Sequence, residues 1–217
     1  QAMEVICRRS ALMRRTSGRG AMALVELSME DAASRIGAQR ADALAVAASN
    51  GPRSSVISGD PEAVEQMLAE LERESVFCRL VKVDVASHSP QMEPLAEELA
   101  RALSSMVPAA GTVPMYSTVL GRRVAGSEVG ASYWACNLRR PVLFAETVRR
   151  ICADAAPSPV VFIELGPHPV LLPSIEQTSR SEGDRPPSVT TIACGRRDEP
   201  EQATFLAALG AAWAAGY

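Results

Sequence analysis

The chain has 217 residues, 47% of them hydrophobic, which is enough to bury a core in one large domain or in two small lobes. Its 25 acidic and 22 basic residues leave a net charge of −3, and this argues against a nucleic-acid partner, because phosphate binding needs concentrated positive charge. No apolar run approaches the ~20 residues of a bilayer span, and the opening QAMEVICRRS lacks a secretory pattern, so no membrane association and a cytoplasmic location are expected. The five cysteines (Cys7, Cys78, Cys136, Cys152, Cys194) are odd in number, form no CxxC pair and have no histidine at ligand spacing, so neither a disulfide framework nor a metal site is expected and most should be buried, reduced thiols.

Taken in chain order, AMEVICRRSALMRR places apolar residues at helical spacing, with basic residues towards its end. AMALVEL then alternates as a strand does, and Ser28 with Asp31 three residues on opens a helix through MEDAASRIGAQR. ALAVAASN and SSVISG read as strands separated by a turn at NGP, and Asp60 caps a helix with Pro61 in its first position. CRLVKVDVAS reads as a further strand. The resulting order, β-α-β-β-α-β, is the ferredoxin-like arrangement. That fold hosts RNA-binding and small-ligand regulatory domains as well as enzymes, but base-stacking aromatics are missing before Phe77.

Beyond His88 the pattern continues with a helix over SPQMEPLAEELARALSSM, a strand VPMYSTV, a polar loop and a helix through NLRRPVLFAETVRRI. PVVFIEL is a strand ending in the turn GPHPVLLPSI, followed by a helix, a disordered-looking SRSEGDRPPS and a last strand VTTIA. The closing helix PEQATFLAALGAAWAAGY is expected to dock an apolar stripe on a neighbour, and strands alternating with helices predict part of an α/β layer.

NGPRSSVISGD, VDVASHSPQM, YWACNLRRPVLF and FIELGPHPVLL stand in this order along the chain. In order and spacing these stretches resemble the acyltransferase domains of type I modular polyketide synthases and related fatty acid synthases. The resemblance implies an α/β fold: part of an α/β-hydrolase-like large subdomain with an inserted ferredoxin-like small subdomain. It divides the chain into a large-subdomain helix (1–19), the insert (20–88), the rest of the large subdomain (89–195) and a linker helix (196–217). The implied activity is transfer of an extender unit from acyl-coenzyme A, through an active-site serine, to the phosphopantetheine thiol of an acyl carrier protein. No bound cofactor is implied. The expected partners are acyl-coenzyme A, the carrier protein and neighbouring synthase domains.

The family's catalytic histidine matches His88, whose imidazole would take the serine's proton and return it to the leaving thiolate. Its orienting backbone carbonyl is assigned by the resemblance to Asn137, and the arginine that clamps a malonyl-type carboxylate to Arg9, with Arg8 as the alternative one residue away. Ser87 matches the position where serine accompanies methylmalonyl units and phenylalanine malonyl units, although Val85 stands where the methylmalonyl motif has tyrosine. His168, between two prolines, is expected to shape a turn. No G-x-S-x-G elbow occurs in the 217 residues, so the serine is expected upstream of residue 1. Two other readings stay open: a non-catalytic docking scaffold within a synthase, and a serine hydrolase.

Overall fold

A computed structural model describes residues 1–181 and 188–216. The opening helix α1 (Ala2–Met13) runs into a short 3-10 turn over Arg14–Thr16. Local chemistry then fixes the next elements. Strand β1 (Ala21–Val25) leads to α2 (Met29–Arg40), where the Ser28 hydroxyl accepts the Asp31 N–H at 3.0 Å. Strands β2 (Leu44–Gly51) and β3 (Ser54–Gly59) form a hairpin turning at Pro52 and Arg53. Asp60 accepts the N–H groups of Glu62 and Ala63 at 3.0 and 3.2 Å and opens α3 (Pro61–Arg73), with β4 (Cys78–Leu80) following.

β1 pairs antiparallel with β3 and β4, and β2 antiparallel with β3, which gives the order β4-β1-β3-β2 of a ferredoxin-like sheet. Ala23, Val25, Leu44, Val46 and Ile57 point from one face onto Val64, Met67, Leu68 and Leu71 of α3 and Ala32 and Ile36 of α2. That face is the core of the lobe. A second core gathers Val5 and Leu12 of α1, Met92, Leu95, Ala96 and Leu99 around α4 (Glu93–Ala102), and Leu138 of α5 (Ala131–Arg139). Both cores lie in one compact unit, Gln1–Phe144, and the remainder, Ala145–Tyr217, forms another.

Four expectations change here. The strand expected through Ser87 stops at Leu80: Val81 still donates to the Met22 carbonyl at 2.9 Å, but Val83 then turns back onto the Val81 carbonyl at 2.8 Å. The polar loop contains a strand, since β5 (Met115–Ser117) pairs with β6 (Arg122–Val124). The helix expected through NLRRPVLF is broken, because Pro141 has no N–H and forces Arg140 into the extended region at φ −79° and ψ 156°. In the gap lies β7 (Val142–Leu143), which pairs in parallel with β2 (Ala48 with Val142, Ser49 with Leu143) and so extends the ferredoxin-like sheet. Finally, only Cys152 of the five cysteines is buried, and Cys7 is exposed.

In the second unit α6 (Phe144–Ala155) precedes β8 (Val160–Glu164), and α7 (Leu172–Arg180) connects β8 to its parallel partner β9 (Val189–Ala193). The Glu164 carboxylate accepts the N–H groups of Val170, Leu171 and Leu172 at 2.9–3.3 Å, satisfying donors that the start of α7 leaves unpaired. The closing helix α8 (Glu201–Ala214) does not bury the stripe that was expected to dock: Phe205, Leu206, Leu209 and Trp213 are exposed and only Ala208 is buried. The segment read as disordered falls largely on residues 182–187, outside the described residues. No described helix is long and apolar enough to cross a membrane.

Candidate active site

His88 sits on an irregular connection between β4 and α4, where the chain leaves the ferredoxin-like lobe. Its φ is +63°, a left-handed conformation that a residue with a Cβ adopts only where its surroundings enforce it. Several contacts do so. The buried Ser89 hydroxyl donates to the Ala86 carbonyl at 2.7 Å and accepts the Gln91 N–H at 3.2 Å, so it shapes the turn and is not a spare nucleophile. Gly20, where the chain enters the lobe, lies so close to this turn that a Cβ there would stand 2.1 Å from the Ala86 nitrogen. Gly20 is therefore a glycine because two chain segments cross at van der Waals distance.

The Nδ1 atom of His88 lies 2.7 Å from a backbone carbonyl, that of Arg140. This corrects the assignment to Asn137. Asn137 is within α5, whereas Arg140, just past the helix end, is turned by Pro141 so that its carbonyl leaves the helix direction. A carbonyl can only accept, so Nδ1 carries the proton and Nε2 of the neutral ring keeps its lone pair. Burial holds the His88 pKa below the ordinary histidine value; the Arg140 carbonyl opposes this and the charge of Arg9 adds to it. The ring is thus neutral near pH 7, with one nitrogen oriented and the other able to take a proton.

Arg9 projects from α1, and its charge reaches His88. The neighbouring Arg8 is exposed and forms an i,i+4 ion pair with Glu4 at 2.9 Å. Among the described residues Arg9 has no such partner. Its Nε is buried without a hydrogen bond, and burial lowers its pKa. A desolvated guanidinium with an unmatched donor is incomplete, and a carboxylate is the group that matches its fork. Of the two arginines, the structure leaves Arg9 available and engages Arg8. Ser87, half-buried, stands between the buried Ala86 and His88.

His88 and Arg9 therefore come together, Ser87 adjoins the histidine, and Asn137 gives up its assigned role to Arg140. His168 lies in the second unit, where its Nδ1 accepts the Arg197 N–H at 3.3 Å and ties the loop after β8 to the loop after β9. A hollow of about 770 Å³ in that unit is lined by Leu165, Cys194, Arg196 and Phe205 among others and contains neither His88 nor Arg9. Among the described residues no cluster of histidine, cysteine, aspartate or glutamate could hold a metal ion.

A ferredoxin-like lobe in one unit and a parallel β-α-β unit in the other give a mixed α/β chain of the acyltransferase fold. The chain belongs to the acyl transferase domain family, a family of transferases, and matches it over residues 1–217. It is 42% identical over 213 residues to the spectinabilin polyketide synthase system protein NorA' of Streptomyces orinoci, covering 98% of this chain and 6% of that protein. It is 40% identical over 214 residues to a mycocerosic acid synthase-like polyketide synthase of Mycobacterium tuberculosis, covering 99% and 10%. The acyltransferase domain from module 8 of the salinomycin polyketide synthase superposes with a TM-score of 0.90 at 38% identity, covering 98% of this chain and 49% of that one. The chain thus spans about half of that solved chain and a small part of the curated synthases.

Proposed function

We propose that this chain supplies the histidine and arginine of a polyketide synthase acyltransferase that moves a carboxylated, branched extender unit from acyl-coenzyme A to an acyl carrier protein, with methylmalonyl favoured over malonyl. The observation that carries this reading is the buried, unpartnered Nε of Arg9, whose charge reaches His88. In this reading the nucleophile is a serine, and no G-x-S-x-G elbow that would carry it occurs among these 217 residues.

In the first half-reaction the serine oxygen attacks the thioester carbonyl while His88 Nε2 takes its proton. The positive charge that develops on the ring is stabilised by the Nδ1–H bond to the Arg140 carbonyl. The tetrahedral intermediate expels coenzyme A, whose sulfur receives the proton from Nε2. In the second half-reaction the carrier-protein thiol attacks the acyl-serine, His88 takes the thiol proton, and the serine oxygen leaves and is reprotonated. Throughout, Arg9 holds the free carboxylate and fixes which carbon of the diacid meets the serine.

Ser87 supports the branched substrate, because a small side chain beside His88 leaves room that a phenylalanine would fill. A relative 25% identical, with a TM-score of 0.84, is the acyltransferase domain of SpnD in complex with 2-(pent-4-yn-1-yl)malonyl, which is consistent with a 2-substituted malonyl class. The test is competition between methylmalonyl- and malonyl-coenzyme A for transfer to a carrier protein by the complete domain. A preference for methylmalonyl is expected. Equal use, or preference for malonyl, contradicts the substrate assignment, and hydrolysis without transfer to the thiol would favour the hydrolase reading.

A further inference from the structure

Besides the Ser89 bonds within the turn and the Arg140 carbonyl on His88, a set of contacts ties this segment to the four residues preceding β1. The Asp84 carboxylate accepts the hydroxyl of Ser17 and, at 3.1 Å, the N–H of Gly18 through the same Oδ2. The Asp84 backbone carbonyl accepts the Gly20 N–H at 3.3 Å, and the Gln91 side-chain amide donates to the Arg19 carbonyl at 3.2 Å. Gly20 also packs against Val85 and Ala86 too closely for a side chain. His88 is thus flanked by ties from residues 84–86 on one side and residue 91 on the other, all to residues 17–20.

We propose that Asp84 is a positioning residue for His88: its carboxylate clasps the chain entering the ferredoxin-like lobe to the chain leaving it, and so holds the histidine at the geometry in which Nδ1 meets the Arg140 carbonyl. The proposal rests on the reading of His88 as the base. Asp84 acts as an acceptor and through the backbone. The charged group that faces His88 is Arg9 on α1; the α5–β7 connection presents the Arg140 carbonyl, and Asp84 is not among the groups that shift the histidine's proton affinity. Among the charges near that connection, Arg139 is occupied by Glu93 at 2.7 Å.

The experiment measures kcat, KM and the pH profile for transfer from methylmalonyl-coenzyme A by the complete acyltransferase domain carrying Asp84→Ala, Asp84→Asn or His88→Ala. Because a displacement of about 1 Å costs up to roughly 100-fold in rate, Asp84→Ala is expected to lower kcat by about tenfold or more with KM little changed. Its acid limb is expected to move to higher pH as water reaches the loosened ring. Asp84→Asn, whose amide oxygen can accept both bonds at about half the strength, is expected to recover most of the loss. Wild-type kcat and acid limb in Asp84→Ala, with His88→Ala inactive, overturn the clasp and leave the base assignment standing. Full activity in His88→Ala overturns the base assignment itself. If Asp84→Ala fails to fold, Ser17→Ala, which removes one bond to the same carboxylate, must lower kcat and shift the acid limb in the same direction, and unchanged values there overturn the clasp.

Discussion

His88 Nδ1 and the Arg140 carbonyl oxygen, 52 residues apart in sequence, meet at 2.7 Å and fix the proton on one ring nitrogen. Burial and the charge of Arg9 together keep the ring neutral to lower pH than a free histidine, whose pKa is ~6.5. A base must be neutral to accept a proton. Activity should therefore fall on the acid side only below that ordinary value, and a pH profile of kcat/KM for the complete domain checks it; an acid limb at or above the ordinary value contradicts the burial account.

Arg9→Ala should separate carboxylated from plain acyl substrates. Hydrogen bonds to charged groups contribute roughly 1.5–3 kcal/mol, so kcat/KM for methylmalonyl-coenzyme A should fall by at least about tenfold. Propionyl-coenzyme A, which has no free carboxylate, should lose nothing comparable. Arg9→Lys should recover the charge but not the fork. Arg8→Ala, which removes only an exposed pair with Glu4, should leave both substrates unaffected.

Gly20→Ala tests the crossing of the two chain segments. The added Cβ would stand 2.1 Å from the Ala86 nitrogen and 2.6 Å from the Val85 carbonyl carbon, both backbone atoms that cannot swing aside. Overpacking of this kind costs about 1–3 kcal/mol. A lower Tm is expected by calorimetry, together with a loss of kcat, because the segment that must move carries His88.

Ser87→Phe should shift preference from methylmalonyl towards malonyl. A pocket distinguishes one methyl by ~1–3 kcal/mol, so the selectivity ratio should change by about 10- to 200-fold. The competition assay reads this directly, and an unchanged ratio would remove Ser87 from the specificity account.

The parts of this structure that were legible in the sequence are those set by side chains acting on their own neighbourhood. Ser28 and Asp60 cap the helices they were expected to cap, and the order of strands and helices in the lobe follows from local patterns. The carbonyl partner of His88 was less legible, since every residue carries a carbonyl and the choice among Asn137, Arg140 and their neighbours depends on where α5 stops. Pro141 held that signal. Strand β7, two residues long, exists only because β2 offers it an edge, so no pattern in its own residues announces it. The alternation in VKVDV reads as a strand, yet Val83 is exposed and the chain turns at Val81. There the ties from Asp84 and Gly20 to the chain entering the lobe outweigh β propensity.

The central claim, that His88 is the base of acyl transfer, is tested most directly by time-resolved intact mass spectrometry of the complete domain mixed with methylmalonyl-coenzyme A, comparing the wild type with His88→Ala. The account predicts rapid gain of a methylmalonyl group by the wild type and acylation slower by about three orders of magnitude or more in the variant. Acylation of His88→Ala at the wild-type rate would contradict it.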